Sequence, residues 1–482
     1  MNIIFPHRLG FVVYALLLTG CGLKGGWLTT VGPDYQAPSP PTAPQWNAPQ
    51  LTLAHQGELT ELTNWWKKFN DPTLSQLLAA AQNESASIAK AKAHIEEARA
   101  SLVGSESVFL PSLDSQISSS RSSFSFGQAP FIRNQHQISI QSSWEVDLFG
   151  GLARQQEANL SKLASRTAAW HDARVAVAAE LANAYLAYRY CEAQYQLSKT
   201  DAESRSATAK LLAVAMKAGL RNATDQALAS ASAAEGNNVM LQRQTQCERS
   251  LKGLVAMTGL EEIKLRQLVA RFPDHVAKLP SPPPFPINAV PAIMLLQRPD
   301  VAVAERDMAE ASAKIGVEQA QRYPKLSLSG NITPVLQNIN GAALSLAETW
   351  SYGPTLSLPL FDAGKRAANV DAAKANYTAA TSQFRATVRT AVKEVEDALV
   401  RLASLEQRLP QANSAASGYK ASFQATQKLF DSGLGNLLDV EVARRSLVSA
   451  DLAVKELEQE KVSAWIALYR AIGGGWEDKP SH

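Results

Sequence analysis

The chain has 482 residues, a formal net charge of +3 and only 19% charged residues, with 46% hydrophobic residues and three cysteines. No basic run is dense enough for a nucleic-acid footprint, and no apolar run reaches the roughly 18 residues of a membrane-spanning helix. The seven histidines are scattered without HExxH or other metal-ligand spacing, so neither a metal site nor a bound cofactor is expected.

The N-terminus reads as a targeting segment. Arg8 precedes the apolar run Leu9–Leu18, and Thr19-Gly20-Cys21 follows. A short apolar stretch ending in small residues is a secretory signal. A cysteine directly after Thr-Gly looks like a bacterial lipobox. That implies removal of residues 1–20, with an N-palmitoyl and an S-diacylglycerol chain on Cys21. The alternative is an ordinary signal with an incidental cysteine. Residues 21–62 then form a lipid-anchored extended segment, because Val31–Pro49 is rich in Pro and Ser.

Asp71 before Pro72 suits a helix N-cap with proline at the first helical position. Helical spacing continues through Ile88, Ile95 and Leu102 and ends near Pro111. Ser87-Ile88-Ala89-Lys90 fits the Ser-x-x-Lys pattern of acylating enzymes, but it stands in an Ala-rich helix without companion motifs. No glycine-rich phosphate loop occurs, so no catalytic site is expected.

Two strands follow, at about 112–126 and 136–148. In the second, Ile138, Ile140, Ser142, Trp144, Val146 and Leu148, almost all apolar, alternate with Gln137, Ser139, Gln141, Ser143, Glu145 and Asp147. Period two of this kind is a strand with its two faces in different environments. After Gly150-Gly151 the period changes, and no strong breaker appears until Gly219. The Ala-rich helix Leu152–Met216 is therefore very long. Gly219 suits the left-handed C′ position of a hairpin turn, and Asn222 with Asp225 starts a return helix to about Thr258. Leu260–Pro291 reads as irregular, with a proline-rich linker at 273–292.

The plan then repeats. Pro299–Arg322 is helix, strands lie at about 325–334 and 350–360, and Lys365–Phe430 is a second long helix. Its Val388, Val392, Val395, Leu399 and Leu402 fall at heptad spacing. Gly433–Asp439 is the second turn, and Asn436–Ile472 returns. Glu97–Leu113 aligns without gaps with Glu310–Leu326, Phe149 aligns with Phe361, and Gly219–Asp225 aligns with Gly433–Asp439, at an offset of about 213 residues. This is one internal duplication. It gives repeats 63–272 and 293–472 and a polar tail 473–482. The fold class is mainly α with a small β part: a duplicated helix–strand–strand–helix plan with long coiled-coil hairpins.

Four strands cannot close a barrel, and open edges are not viable in lipid. Strands with one apolar face and one face of Ser, Gln, Asn and Thr call for an oligomer that pools them around a wet lumen. Trp144, Phe124, Phe126, Trp350 and Tyr352 are expected near strand ends as membrane-interface aromatics. The competing architecture is a soluble β-sandwich with coiled-coil arms.

The whole pattern resembles the outer-membrane factor family, the TolC-like channels of tripartite efflux systems, and within it the NodT-type efflux lipoproteins. The matching residues are Cys21, Gly32-Pro33-Asp34-Tyr35 with Pro38, Trp65-Trp66 through Asp71-Pro72, Arg298-Pro299-Asp300-Val301, Tyr323-Pro324, and Leu360-Phe361-Asp362-Ala363-Gly364. The resemblance implies a homotrimer with a twelve-strand transmembrane barrel and a periplasmic helical tunnel. It also implies an outer-membrane location and a lipid anchor, with a periplasmic adaptor and an inner-membrane pump as partners and no chemistry of its own. The expected function is passive exit of drugs or other small molecules. The alternatives are an exit duct for type I polypeptide secretion, or a periplasmic coiled-coil scaffold without a channel.

The family's acids just after the hairpin turn line the periplasmic constriction. Asp225 and Asp439 stand at matching positions, with Glu441 beside them. Plain helix capping, or for Glu441 a solvated face, is the alternative role. Val442 stands where many relatives carry a second acid. Phe430 and Gly435 stand where some carry the tyrosine and arginine that tie the gate shut. Finally, Cys191 and Cys247 each lie about 28 residues from Gly219, on opposite arms of one hairpin. In an oxidising compartment they are expected either to pair or to remain as two buried thiols.

Overall fold

In the computed structural model the described residues are 25–43, 46–48, 62, 64–125, 127, 130–270, 282, 295 and 297–475. Cys21, Phe126 and most of the linker 273–292 lie outside them. The chain divides into two compact units, one of residues 1–38, 93–167 and 303–384, the other of 39–92, 168–302 and 385–482. Each unit draws on both sequence repeats.

The elements follow the duplicated plan. A 3-10 helix, Trp65–Phe69, leads into α1 (Pro72–Glu84) and α2 (Ala86–Ser107). Strands β1 (Ser112–Phe124) and β2 (Phe131–Val146) come next, then α3 (Gly151–Lys217), α4 (Ala223–Thr258) and α5 (Glu262–Ala270). The second repeat holds α6 (Pro299–Ala320), β3 (Lys325–Ile339), β4 (Ser345–Ser357), α7 (Lys365–Asp431) and α8 (Leu437–Ala471).

Four sequence expectations change. The single helix expected from Asp71 towards Pro111 breaks at Ser85, which is extended (φ −66°, ψ 117°) and whose hydroxyl accepts from Ile88 N–H. The stretch after Leu260, expected to be irregular, contains α5, because Leu265, Leu268 and Val269 bury one face. β2 begins at Phe131 and β3 continues past Pro334 to Ile339, since Arg133–Gln137 pairs with Val335–Ile339. Lastly, Trp350 and Tyr352 lie within β4, not at its end, and Phe124 shares the parity of the polar face.

The four strands form one antiparallel sheet in the order β1-β2-β3-β4. In the other unit the core gathers Trp65, Leu77, Leu181, Tyr185, Leu254, Leu265, Val395, Leu402, Trp465 and Leu468. Three of the five expected heptad positions of α7, Val388, Val395 and Leu402, are at most 2% exposed, as is Ala391 next to Val392.

Candidate functional site

The register gives each face of the sheet its content. Rows Ser115–Ile140–Ile332–Trp350 and Leu113–Ser142–Gly330–Tyr352 belong to one face, with Trp144–Leu328–Pro354 and Val146–Leu326–Leu356 beyond them. Many of its large side chains have no covering layer: Leu113 is 74%, Ile117 78% and Tyr352 83% exposed. The opposite face carries Asp114–Gln141–Asn331–Ser351, and the pairs Gln116–Ser139 and Thr333–Thr349, joined by a hydrogen bond from Thr333 Oγ1 to Ser139 Oγ at 3.0 Å. Exposed apolar area of this extent on a regular sheet marks a surface that is covered in the working protein. The outer edges of β1 and β4 pair with nothing among the described residues.

The hairpin turns have the geometry expected of Gly219 and Gly433. Gly219 (φ +70°) donates to Met216 O while Leu220 N–H reaches Ala215 O, and Gly433 (φ +78°) donates to Phe430 O while Leu434 N–H reaches Leu429 O. Both are Schellman closures, in which a left-handed residue lets the chain satisfy the last carbonyls. The next helices start alike. Asn222 Oδ1 accepts from Asp225 N–H at 2.7 Å, and Asn436 Oδ1 from Asp439 N–H at 2.9 Å. The asparagines therefore cap the helices, and the aspartates add negative charge in the first turn. Asp439 is exposed and Asp225 half-exposed.

Glu441 differs from the expectation of a tip acid or a solvated one. It is 4% exposed and sits in a charged cluster. Its Oε1 accepts from Arg444 Nη1 at 2.6 Å and its Oε2 from Ser232 Oγ at 2.6 Å. Arg205 Nη1 donates to the same Ser232 oxygen at 3.2 Å, and Arg205 Nε donates to Asp201 Oδ2 at 2.8 Å. Asp201 and Arg205 come from α3, Ser232 from α4, and Glu441 and Arg444 from α8, so the cluster joins the two hairpins. Burial raises the Asp201 pKa despite the nearby Arg205 and Arg444. Just above, Phe430 packs with Leu212, Ala229, Leu437 and Val440, and Arg221 lies over its ring. A Cβ on Gly435 would meet Phe430 N at 3.1 Å. Phe430 is thus held by apolar packing, and Gly435 lies close against the backbone of its own turn. A charged contact between the hairpins is made instead by Glu441, Arg444 and Ser232, and Val442 is 50% exposed. Sequence reading missed Asp201, Arg205 and Ser232 because nothing local distinguishes them from other polar residues on a long helix.

The family-resembling motifs mostly hold elements in place. Arg154, 5% exposed, donates to Val31 O at 3.1 Å, Asp34 Oδ1 at 2.7 Å and Glu157 Oε2 at 2.7 Å. Tyr35 O–H donates to Glu305 Oε1 at 2.5 Å, and burial with that carboxylate raises the phenol pKa. Arg298 binds Asp300, Glu394 and Ala471 O. Asp71 caps α1 through Thr73 and Leu74 N–H and accepts from Tyr185 O–H at 2.8 Å. Cys191 and Cys247 are joined by a disulfide with Cα atoms 5.4 Å apart. No group of metal-ligating side chains occurs among the described residues.

Comparison with known proteins supplies what the geometry leaves open. A family model described as outer membrane efflux protein matches residues 77–260 and 290–474. The solvent efflux pump outer membrane protein SrpC of Pseudomonas putida is 27% identical over 476 residues, covering 96% of this chain and 97% of SrpC. Nodulation protein T of Rhizobium leguminosarum bv. viciae is 29% identical, covering 97% of this chain and 94% of that protein. A solved membrane protein from Pseudomonas aeruginosa superposes with a TM-score of 0.80 at 25% identity, over 94% of this chain and 99% of that one. The outer-membrane channel OprN gives 0.75 at 25% identity, over 92% and 99%.

Proposed function

Because this chain belongs to the outer membrane efflux protein family, we propose that three copies form a lipid-anchored exit duct for small apolar or amphipathic molecules. It is an outer-membrane efflux channel of TolC-like fold, and not an enzyme. The observation that carries the finer reading is the sheet, with an uncovered apolar face, a face of Ser, Gln, Asn and Thr, and two edges unpaired among the described residues. Three copies would supply about twelve strands, enough to close a barrel with its apolar face to lipid and its polar face to water.

Cys21 would carry the N-palmitoyl and S-diacylglycerol chains that tether each copy to the membrane. The chain works in a tripartite system, with an adaptor and an inner-membrane pump as partners. In our reading those partners meet the hairpin tips. Relatives named for solvents support a small-molecule cargo. Three copies would place Asp439, and with it Asp225, in rings of carboxylates that favour cations. The cluster around Glu441 would tie the two hairpins of each copy together in the closed state.

The test is single-channel conductance of the detergent-extracted full chain in planar bilayers, beside Asp439→Ala and Glu441→Ala. Small, cation-selective openings in the parent, less selective in Asp439→Ala and larger in Glu441→Ala, are expected. A protein that is monomeric, and stays in solution without detergent once Cys21 is replaced, would overturn the duct.

A further inference from the structure

Six residues beyond Cys21, the chain displays Trp27 and Leu28, 52% and 70% exposed. They do not sit on a loose end. Trp27 N–H donates to Asp147 O at 2.8 Å, Leu28 N–H to Leu148 O at 3.0 Å, and Val31 N–H to Phe149 O at 3.1 Å. Gly26 N–H donates to Thr30 Oγ1 at 2.9 Å, closing a small loop with Trp27 and Leu28 at its apex. Gly26 is pressed so closely on the chain that a Cβ there would lie 2.4 Å from Gly150 N. One on Gly150 would lie 2.6 Å from the Thr30 side chain. Arg154 clamps the following residues through Val31 O and Asp34.

The loop is pinned at a particular level. Asp147–Phe149 directly follows Val146, the last residue of β2 and part of the last row of the apolar face. The equivalent stretch after β4 also displays apolar side chains, with Leu360 90% and Phe361 91% exposed. Two large apolar side chains on a backbone already held by hydrogen bonds lose little freedom when something covers them. Tryptophan favours the boundary between lipid head groups and acyl chains, where its ring is apolar and its N–H is wet.

We propose that Trp27 and Leu28 form a lipid wedge. It inserts at the head-group boundary of the leaflet nearest the helices and continues the apolar face of the sheet. The occupant is phospholipid. The wedge sets the depth of the channel independently of the flexible chains on Cys21. It rests on the reading of the sheet as membrane-spanning.

The test uses the full chain in vesicles of phosphatidylethanolamine and phosphatidylglycerol, with a fluorescent label on Leu28→Cys and, separately, on Tyr352→Cys within the apolar face. Nitroxide lipids quench from a shallow or a deep position, and iodide quenches from water. The Leu28 label is expected to be quenched about twofold more by shallow than by deep nitroxide, as interfacial residence requires, and the Tyr352 label by lipid nitroxide as well. A Leu28 label open to iodide, or shielded from both quenchers, overturns the wedge while a lipid-quenched Tyr352 label keeps the barrel. If the Tyr352 label also escapes lipid quenching, the membrane-spanning reading falls and the wedge with it. Should Leu28→Cys fail to fold, Trp27→Cys carries the same label and is read the same way.

Discussion

Glu441 Oε2 accepts a hydrogen bond from the Ser232 hydroxyl at 2.6 Å, across 209 residues of sequence and between two hairpins. The partner on its other oxygen, Arg444, is 4% exposed. A buried pair of this kind is stable only while both members and their hydrogen bonds are present. Glu441→Ala strands the guanidinium and is expected to cost on the order of 3 kcal/mol. Ser232→Ala, which removes one hydrogen bond to a charged group, should cost about 2 kcal/mol. Thermal unfolding of both single variants and the double variant should show non-additive losses, because the two side chains share one contact. Strictly additive losses would mean that the contact carries no energy.

Asp201 gives that cluster a pH dependence with a definite sign. Burial raises its folded-state pKa above the unfolded value, so the charged form burdens the fold. That cost is present at pH values above the folded pKa and disappears as pH falls through it. Asp201→Asn, neutral at every pH, should therefore melt no lower than the parent near pH 8. Its advantage should shrink on acidification towards the ordinary carboxylate pKa of about 4. An advantage that grows on acidification would contradict the burial argument.

The disulfide between Cys191 and Cys247 closes a loop with a sequence separation of 56. On the chain-entropy account such a loop is worth about 4 kcal/mol. Reduction with dithiothreitol and the Cys191→Ser/Cys247→Ser double variant should lower the unfolding midpoint by the same amount. Hydrogen exchange should show the loss confined to α3 and α4. Two reactive thiols in the unreduced protein would exclude the bond.

Arg154 organises the N-terminal stretch Val31–Asp34. Arg154→Ala removes its donation to Val31 O and Asp34 Oδ1, and losing charged hydrogen bonds of this type costs about 2–3 kcal/mol. Limited proteolysis between Gly25 and Tyr35 should accelerate by roughly a hundredfold on that basis. An unchanged rate would show that the backbone bonds from Trp27, Leu28 and Val31 hold the segment alone.

The sequence alone determined the parts that depend on local geometry. The alternation Ile138, Ile140, Trp144 and Val146 gave a two-faced strand because a strand's side chains alternate whatever surrounds them. Gly219 and Gly433 gave both turns because few other residues adopt a left-handed cap cheaply. Equal spacing from Gly219 brought Cys191 and Cys247 level, since two antiparallel helices rise at the same rate. The tertiary structure decided where polar residues of no distinctive pattern meet. It extended β2 back to Phe131 by pairing Arg133 with Ile339 and Gln135 with Gln337. It also turned Glu441 inward to Ser232 and Arg444 while leaving Asp439, two residues earlier, exposed. A charged side chain five residues after the Asn436 cap is compatible with solvent or with burial. Only the neighbouring hairpin, arriving with the Ser232 hydroxyl and Arg205 beside the Arg444 of Glu441's own helix, made burial affordable.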